Sequence, residues 1–215
     1  MKPYRPNFFI SGSIFLLLFS CSPVIQKGFK RQECRISEFP SVFPEDFNQA
    51  VYKFNLSAGN KIFTGIGIFK RMKPDSSFRT VFMTETGLKF FEFEFFKDQS
   101  PRIHYVMDAF NHRGLLRLLT EDIGMAVFQE IDRKTMKCFQ ADDASGRTII
   151  KQRKNGRLYL FLDLPGDPPR KIVSRSCLDP LQSIRIEYIH ENYPSGFIFE
   201  HKTLGLKIEL QLTDQ

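Results

Sequence analysis

The stretch Leu88-Lys89-Phe90-Phe91-Glu92-Phe93-Glu94-Phe95-Phe96 decides the fold. Phe91, Phe93 and Phe95 fall on one face, and Phe90, Glu92, Glu94 and Phe96 fall on the other. A period of two is the mark of a strand with one buried side. A helix would scatter these three phenylalanines around its circumference. Thr86-Gly87 precedes the stretch as a turn, and Phe78 to Glu85 reads as the strand before it. The hairpin therefore offers an all-aromatic row to whatever lies beneath it.

Working outward toward the N-terminus, Ala50 to Ser57 and Lys61 to Lys70 read as two more strands, joined at Ala58-Gly59-Asn60. Gly-Asn between β-rich runs is a hairpin signal. Gly65 and Gly67 remove side chains from one face of the second strand, which points to strong curvature. Arg102 to Met107 adds a short strand. The period then changes. Leu115, Leu119, Ile123 and Val127 recur at helical spacing between His112 and Phe128, with Asn111 as a reasonable N-cap. Strands resume at Thr135 to Gln140, Thr148 to Arg153 and Arg157 to Leu162, the last two joined by the hairpin dipeptide Asn155-Gly156. Pro165 to Pro169 is a hard turn before Lys171 to Arg175. Ser183 to His190, Phe197 to His201 and Leu206 to Leu212 close the chain as a meander, with turns at Pro194-Ser195-Gly196 and Thr203-Leu204-Gly205. Ile184 and Ile186 alternate with Arg185 and Glu187, and Ile208 and Leu210 alternate with Lys207 and Glu209. One face is dry and one wet, as in an antiparallel sheet with a single buried side. The expectation is a mainly β, α+β domain. It is a curved antiparallel sheet or incomplete β-barrel of about 10–11 strands, since a sheet this long must curl, split or close. One central helix lies across its concave face.

The N-terminus carries an address. Lys2 and Arg5 precede an apolar run from Phe8 to Phe19, too short to cross a bilayer. The run ends in Leu18-Phe19-Ser20-Cys21. This resembles the lipobox of bacterial lipoproteins, with Phe19 bulkier than the usual residue there. The resemblance implies a signal peptide over 1–20, removed before Cys21, and fatty acylation (palmitate) of Cys21. Two or more acyl chains hold a protein stably on a membrane. Ser22, where an Asp would favour the inner membrane in enteric bacteria, implies an outer-membrane lipoprotein facing the periplasm. Residues 21–46 read as a tether rich in proline and charge, with Phe39, Val42, Phe43 and Phe47 docking it, and 47–215 as a single β-rich domain.

That layout behind a lipobox looks like the lipoprotein carrier LolA and the outer-membrane lipoprotein receptor LolB. They share a half-barrel of antiparallel strands, helices plugging the concave side, and an apolar cavity for acyl chains. Val81 to Glu94 also resembles a group of small bacterial lipoproteins. The receptor's protruding loop with an apolar tip has no clear counterpart here. Carried onto this sequence, the resemblance implies an apolar ligand cavity. The residues expected to line it are Phe91, Phe93, Phe95, Leu115, Leu119, Ile123, Ile184, Ile186, Ile208 and Leu210. The alternative for the same residues is a filled core.

The chain has 24 phenylalanines, no tryptophan and a formal net charge of +7. Phenylalanine brings apolar area without a polar handle. The basic residues are scattered, so nucleic acid is not an expected partner. Their densest group, Lys151, Arg153, Lys154 and Arg157, straddles a predicted turn and reads as a solvated hairpin tip or a contact for anionic head groups. Cys34, Cys138 and Cys177 are spaced too widely for a metal knuckle, and either one pair bridges or the thiols stay free. His104, His112, His190 and His201 form no metal-binding spacing, although His190 and His201 could face each other across a hairpin. Glu92 and Glu94 share a strand face as paired carboxylates might in a glycosidase, but their alternation with phenylalanine reads as a solvated outer face. Ser145-Gly146 lacks the nucleophile-elbow pattern. No catalytic residue, metal or cofactor is expected. The expected function is apolar-ligand or acyl-chain binding by a membrane-anchored lipoprotein. The alternative is a structural or adaptor subunit of an envelope complex, with an envelope protein as partner.

Overall fold

The structure is a computed structural model. It describes residues 28–34, 41–73, 76–97, 99–127, 135–142, 147–154, 157–163, 169–175, 182–189, 193–202 and 204–213. Among the described residues there are thirteen strands: β1 Phe29–Gln32, β2 Gln49–Ala58, β3 Lys61–Arg71, β4 Phe78–Met83, β5 Lys89–Phe96, β6 Gln99–Val106, β7 Lys137–Ala141, β8 Thr148–Lys154, β9 Arg157–Asp163, β10 Lys171–Arg175, β11 Gln182–Ile189, β12 Tyr193–His201 and β13 Leu206–Leu212. A 3-10 turn at Asp108–Phe110 leads into one helix, α1, Arg113–Val127. No helix among the described residues is long and apolar enough to cross a membrane.

All strands join one antiparallel sheet in the order β1-β7-β8-β9-β10-β11-β12-β13-β2-β3-β4-β5-β6. It consists of two meanders, β2 to β6 and β7 to β13, zipped together where β13 pairs with β2. The order is open: β1 and β6 are its two edges. Edge strand β6 is exposed along most of its length and carries Pro101 and two register shifts against β5, features that discourage pairing with another sheet. The chain between the meanders runs from that edge to β7, next to the opposite edge, and α1 lies within it.

The sheet is strongly curved. Phe69 on β3 and Phe197 on β12 are three strand spacings apart, about 14 Å in a flat sheet. Their rings stack with centroids 6.0 Å apart, so the inner faces converge. Helix α1 sits in the resulting trough. Asp122 reaches His201 on β12, and a Cβ at Gly124 would lie 3.5 Å from the Phe95 ring on β5. Those two positions point about 200° apart around a helix axis. The helix is therefore half sunk between two walls, and it fills the concavity as well as covering it.

The expected fold class holds, with local corrections. The tether expected over 21–46 contains a strand, β1, that adds to the β7 edge. A disulfide between Cys34 and Cys138 fixes it there. Four residues are too few for β1 to show a period in the sequence. At the other end of that stretch Val42 and Phe43 are completely buried. Cys21 and Cys177 lie outside the described residues, as do residues 1–20 and the Asn155-Gly156 turn, although Lys154 pairs with Arg157 across it. The turn expected at Pro194-Ser195-Gly196 is instead a bulged part of β12: Glu187 pairs with Gly196 and Tyr188 with Pro194, leaving Ser195 as the extra residue. Proline and glycine punctuate strands at bulges as well as at turns.

Candidate functional site: the aromatic trough

The inner face is built from cross-strand rows. Tyr52, Gly67, Phe82 and Phe91 form one; Ala50, Phe69, Thr80 and Phe93 form the next; Arg71, Phe78 and Phe95 form a third. Ile186, Phe197, Leu210 and Phe54 continue the surface across β11, β12, β13 and β2, with Ile184, Phe199, Ile208 and Leu56 one step along. The two glycines of β3 explain the inward crowding of rings. Phe82 lies against Gly67, where a Cβ would come within 3.2 Å of the ring. A Cβ at Gly65 would overlap the Met83 carbonyl oxygen and stand 2.9 Å from the Phe54 ring.

Every residue expected to line the cavity joins this one surface. Phe91, Phe93, Phe95, Ile184, Ile186, Ile208 and Leu210 are buried on the sheet. Leu119 and Ile123 are buried on α1, and Leu115 packs partly buried against them. Phe91 and Phe93 stack at 5.1 Å, and Phe93 meets Phe95 edge-on at 6.2 Å. Phe90 departs from simple alternation. Phe82 pairs with Phe91 while Met83 pairs with Lys89, so Phe90 is the extra residue of a bulge. It turns inward to meet Phe54 and Phe110 at 5.7 and 5.5 Å.

Among the described residues two elements cover the trough. One is α1. The other is the segment from Val42 to Phe47, whose Phe43 ring touches Phe69, Phe78 and Phe197 at 5.9, 5.3 and 5.8 Å. Arg71 holds that segment, donating to the Pro44 carbonyl at 3.0 Å while its guanidinium lies 4.7 Å over the Phe78 ring. Burial pushes the Arg71 guanidinium down from its ordinary value, with Glu45 and Asp46 opposing. The docking role expected for Val42, Phe43 and Phe47 is thus met inside the trough, and Phe39, expected to share it, lies outside the described residues.

A polar tie crosses the same interior. His201 Nε2–H donates to Asp122 Oδ2 at 2.5 Å, and both side chains are essentially inaccessible. From the sequence, His201 could face His190 across a hairpin. The register instead places Gln182 opposite His201, and His190 lies outside the described residues. No spacing in the sequence links positions 122 and 201, so only the fold could bring them together.

The outer face differs from the expected solvated surface in one respect. Glu92 is buried and bridged by Arg79, whose Nε donates at 2.6 Å, and by Lys89 at 2.6 Å. Burial raises its pKa, but these two cations outweigh burial and leave the carboxyl below its ordinary range. Glu94 accepts from His104 at 2.8 Å and Ser77 at 3.1 Å. The His104 bond is the main reason its carboxyl lies low, against an opposing effect of burial. Both carboxyls are thus shifted downward, opposite to the raised pKa of a glycosidase general acid. Among the described residues no group of three or more His, Cys, Asp or Glu side chains is placed to hold a metal ion.

The chain matches no family model and no curated protein sequence. Solved structures similar in fold include two from bacteria. One is a DUF1329 family protein from Desulfovibrio piger, 10% identical, with a TM-score of 0.44. The other is named as an outer membrane lipoprotein-sorting protein domain, from Vibrio parahaemolyticus, 8% identical, with a TM-score of 0.46. Each alignment covers 79% of this chain and 85% of the other.

Proposed function

We propose that the protein is a lipoprotein of the bacterial envelope, anchored through acylated Cys21, whose aromatic trough takes up an acyl chain. One observation carries this reading. The largely apolar inner face of the thirteen-strand sheet is covered, among the described residues, by α1 and the Val42–Phe47 segment rather than by a second sheet. Either cover can shift without breaking a strand pair. The exposed surface would be aromatic rings, which accept hydrocarbon without demanding hydrogen bonds. The lipobox resemblance supports the anchor and a periplasm-facing place on the outer membrane.

A second reading has its own observation. Phe91, Phe93 and Phe95 are buried in mutual contact, as in a filled core. On that reading the protein is a structural or adaptor subunit of an envelope assembly. Mass spectrometry of lipid co-purifying with the protein distinguishes the two. Fatty acyl species at about one per chain, beyond those covalently bound at Cys21, support binding. Purification with no such species, together with failure to take up added fatty acid, supports the adaptor.

A further inference from the structure

The inner face of β4 holds a hydroxyl where an apolar side chain would be expected. Thr80 is completely buried. Its partners across the sheet are Phe69 on β3 and Phe93 on β5, and Phe78 and Phe82 flank it along β4. All four direct neighbours on that face are therefore phenylalanines. Thr80 Oγ1 has no hydrogen-bond partner among the described residues. Leaving a buried hydroxyl unpaired is a net cost. Valine has a similar shape, suits a strand equally well and would remove that cost. A threonine held at this position makes sense if a partner for the hydroxyl arrives with a ligand.

The position fits such a role. Phe69 and Phe78, on two sides of Thr80, are among the rings that Phe43 of the covering segment touches. Thr80 therefore lies next to a contact that opens when the covering segment shifts to admit a chain. A hydrocarbon chain laid along Phe78, Phe82 and Phe93 still lacks a hydrogen-bond acceptor for Thr80 Oγ1 and, opposite Phe78, for the buried Nε of Arg71. Aliphatic carbon cannot supply it, but the carbonyl at the head of an acyl chain can.

We propose that Thr80 is the polar subsite of the trough, donating its hydroxyl hydrogen to the carbonyl oxygen of a bound acyl ester or fatty acid. The proposal rests on the acyl-binding reading above. It adds that recognition is of an acyl group, not of hydrocarbon alone. The carbonyl can belong to a free fatty acid or to the glyceride of a lipidated cysteine.

The test compares the wild-type, Thr80→Val and Thr80→Ser proteins after lipid extraction. Four compounds compete against a fluorescent fatty acid: palmitate, methyl palmitate, a dipalmitoylglyceryl-cysteine peptide and hexadecane. Wild type is expected to prefer the carbonyl compounds to hexadecane by about five- to tenfold, the worth of one neutral hydrogen bond. Thr80→Val should lose that preference with hexadecane affinity unchanged, and Thr80→Ser should keep it. Tighter binding of the peptide assigns the site to lipidated protein, and tighter binding of palmitate to free fatty acid; both support the carbonyl contact. An equal preference in wild type and Thr80→Val overturns the subsite while leaving acyl binding intact. Failure of all four compounds to bind wild type overturns acyl binding and the subsite with it. The lipid-free Thr80→Val protein should melt no lower than wild type. A clear drop would mean that the hydroxyl already has a partner, and would overturn the proposal.

Discussion

Cutting the tie between α1 and β12 should loosen the trough more than any surface change. Asp122 and His201 are buried together, with 2.5 Å between Oδ2 and Nε2. Removing one member of a buried pair takes from the other its partner across the trough, at a cost of about 3–5 kcal/mol. In a protein this size each kcal/mol shifts the melting temperature by about 2–4 °C. Asp122→Ala and His201→Ala should each lower it by roughly 6–20 °C. The double variant loses the same contact only once, so its cost should fall below the sum of the single costs by about 1–3 kcal/mol. Urea unfolding of all four proteins at pH 7 measures this cycle. Hydrogen exchange supplies the location: amides of Leu118 to Val127 should lose protection in the single variants while those of β2 to β4 keep theirs. Additive costs would refute the coupling. Single costs below about 0.5 kcal/mol, the range of ordinary surface changes, would refute the claim that this contact holds the helix.

Four further outcomes follow from the same geometry. Gly124→Ala should stabilise by about 0.5–1 kcal/mol through helix propensity, because its Cβ meets Phe95 at an ordinary 3.5 Å, whereas Gly65→Ala should prevent normal folding by clashing with Met83 and Phe54; thermal melts of the pair decide both. Reduction of Cys34–Cys138, which spans 104 residues, should cost up to about 4.7 kcal/mol on the chain-entropy account and free the β1 edge to exchange, read by urea unfolding with and without reductant. The Glu94 carboxyl is held below its ordinary value of 4.5, so its contribution is present above that pH and lost as pH falls through the lower folded value. Glu94→Gln should therefore flatten the stability curve below pH 4.5, and an unchanged acid limb would contradict the His104 pairing. Cys21→Ser should move the protein from the membrane fraction into the soluble periplasmic fraction or leave it as precursor, and an unchanged membrane fraction after signal removal would contradict the lipid anchor.

Much of the architecture could be read from period and punctuation. The alternation around Phe91, Phe93 and Phe95 marked a one-sided strand, and the Leu115–Val127 repeat marked the helix that fills the trough. Gly65 and Gly67 announced curvature, and the structure shows their use as space for Phe54 and Phe82. These signals are local, so the sequence carries them directly. Phe90 was misassigned because a bulge inserts one residue and reverses the parity of everything before it. β1 escaped notice because its support is a partner strand and a disulfide more than a hundred residues away. The Asp122–His201 tie and the isolation of Thr80 depend on contacts between distant segments. No pattern within a window could reveal them.

The most direct test of the account places a reporter in the trough. The chain has no tryptophan, so Phe95→Trp introduces a single one on the inner face of β5. Quenching of its emission by palmitate brominated along the chain requires contact between chain and ring. Acyl binding in the trough predicts saturable quenching that unlabelled palmitate reverses, with no quenching of a tryptophan placed at exposed Ile62. A folded Phe95→Trp protein whose emission brominated palmitate leaves unchanged, at concentrations that saturate known fatty-acid binders, would contradict it.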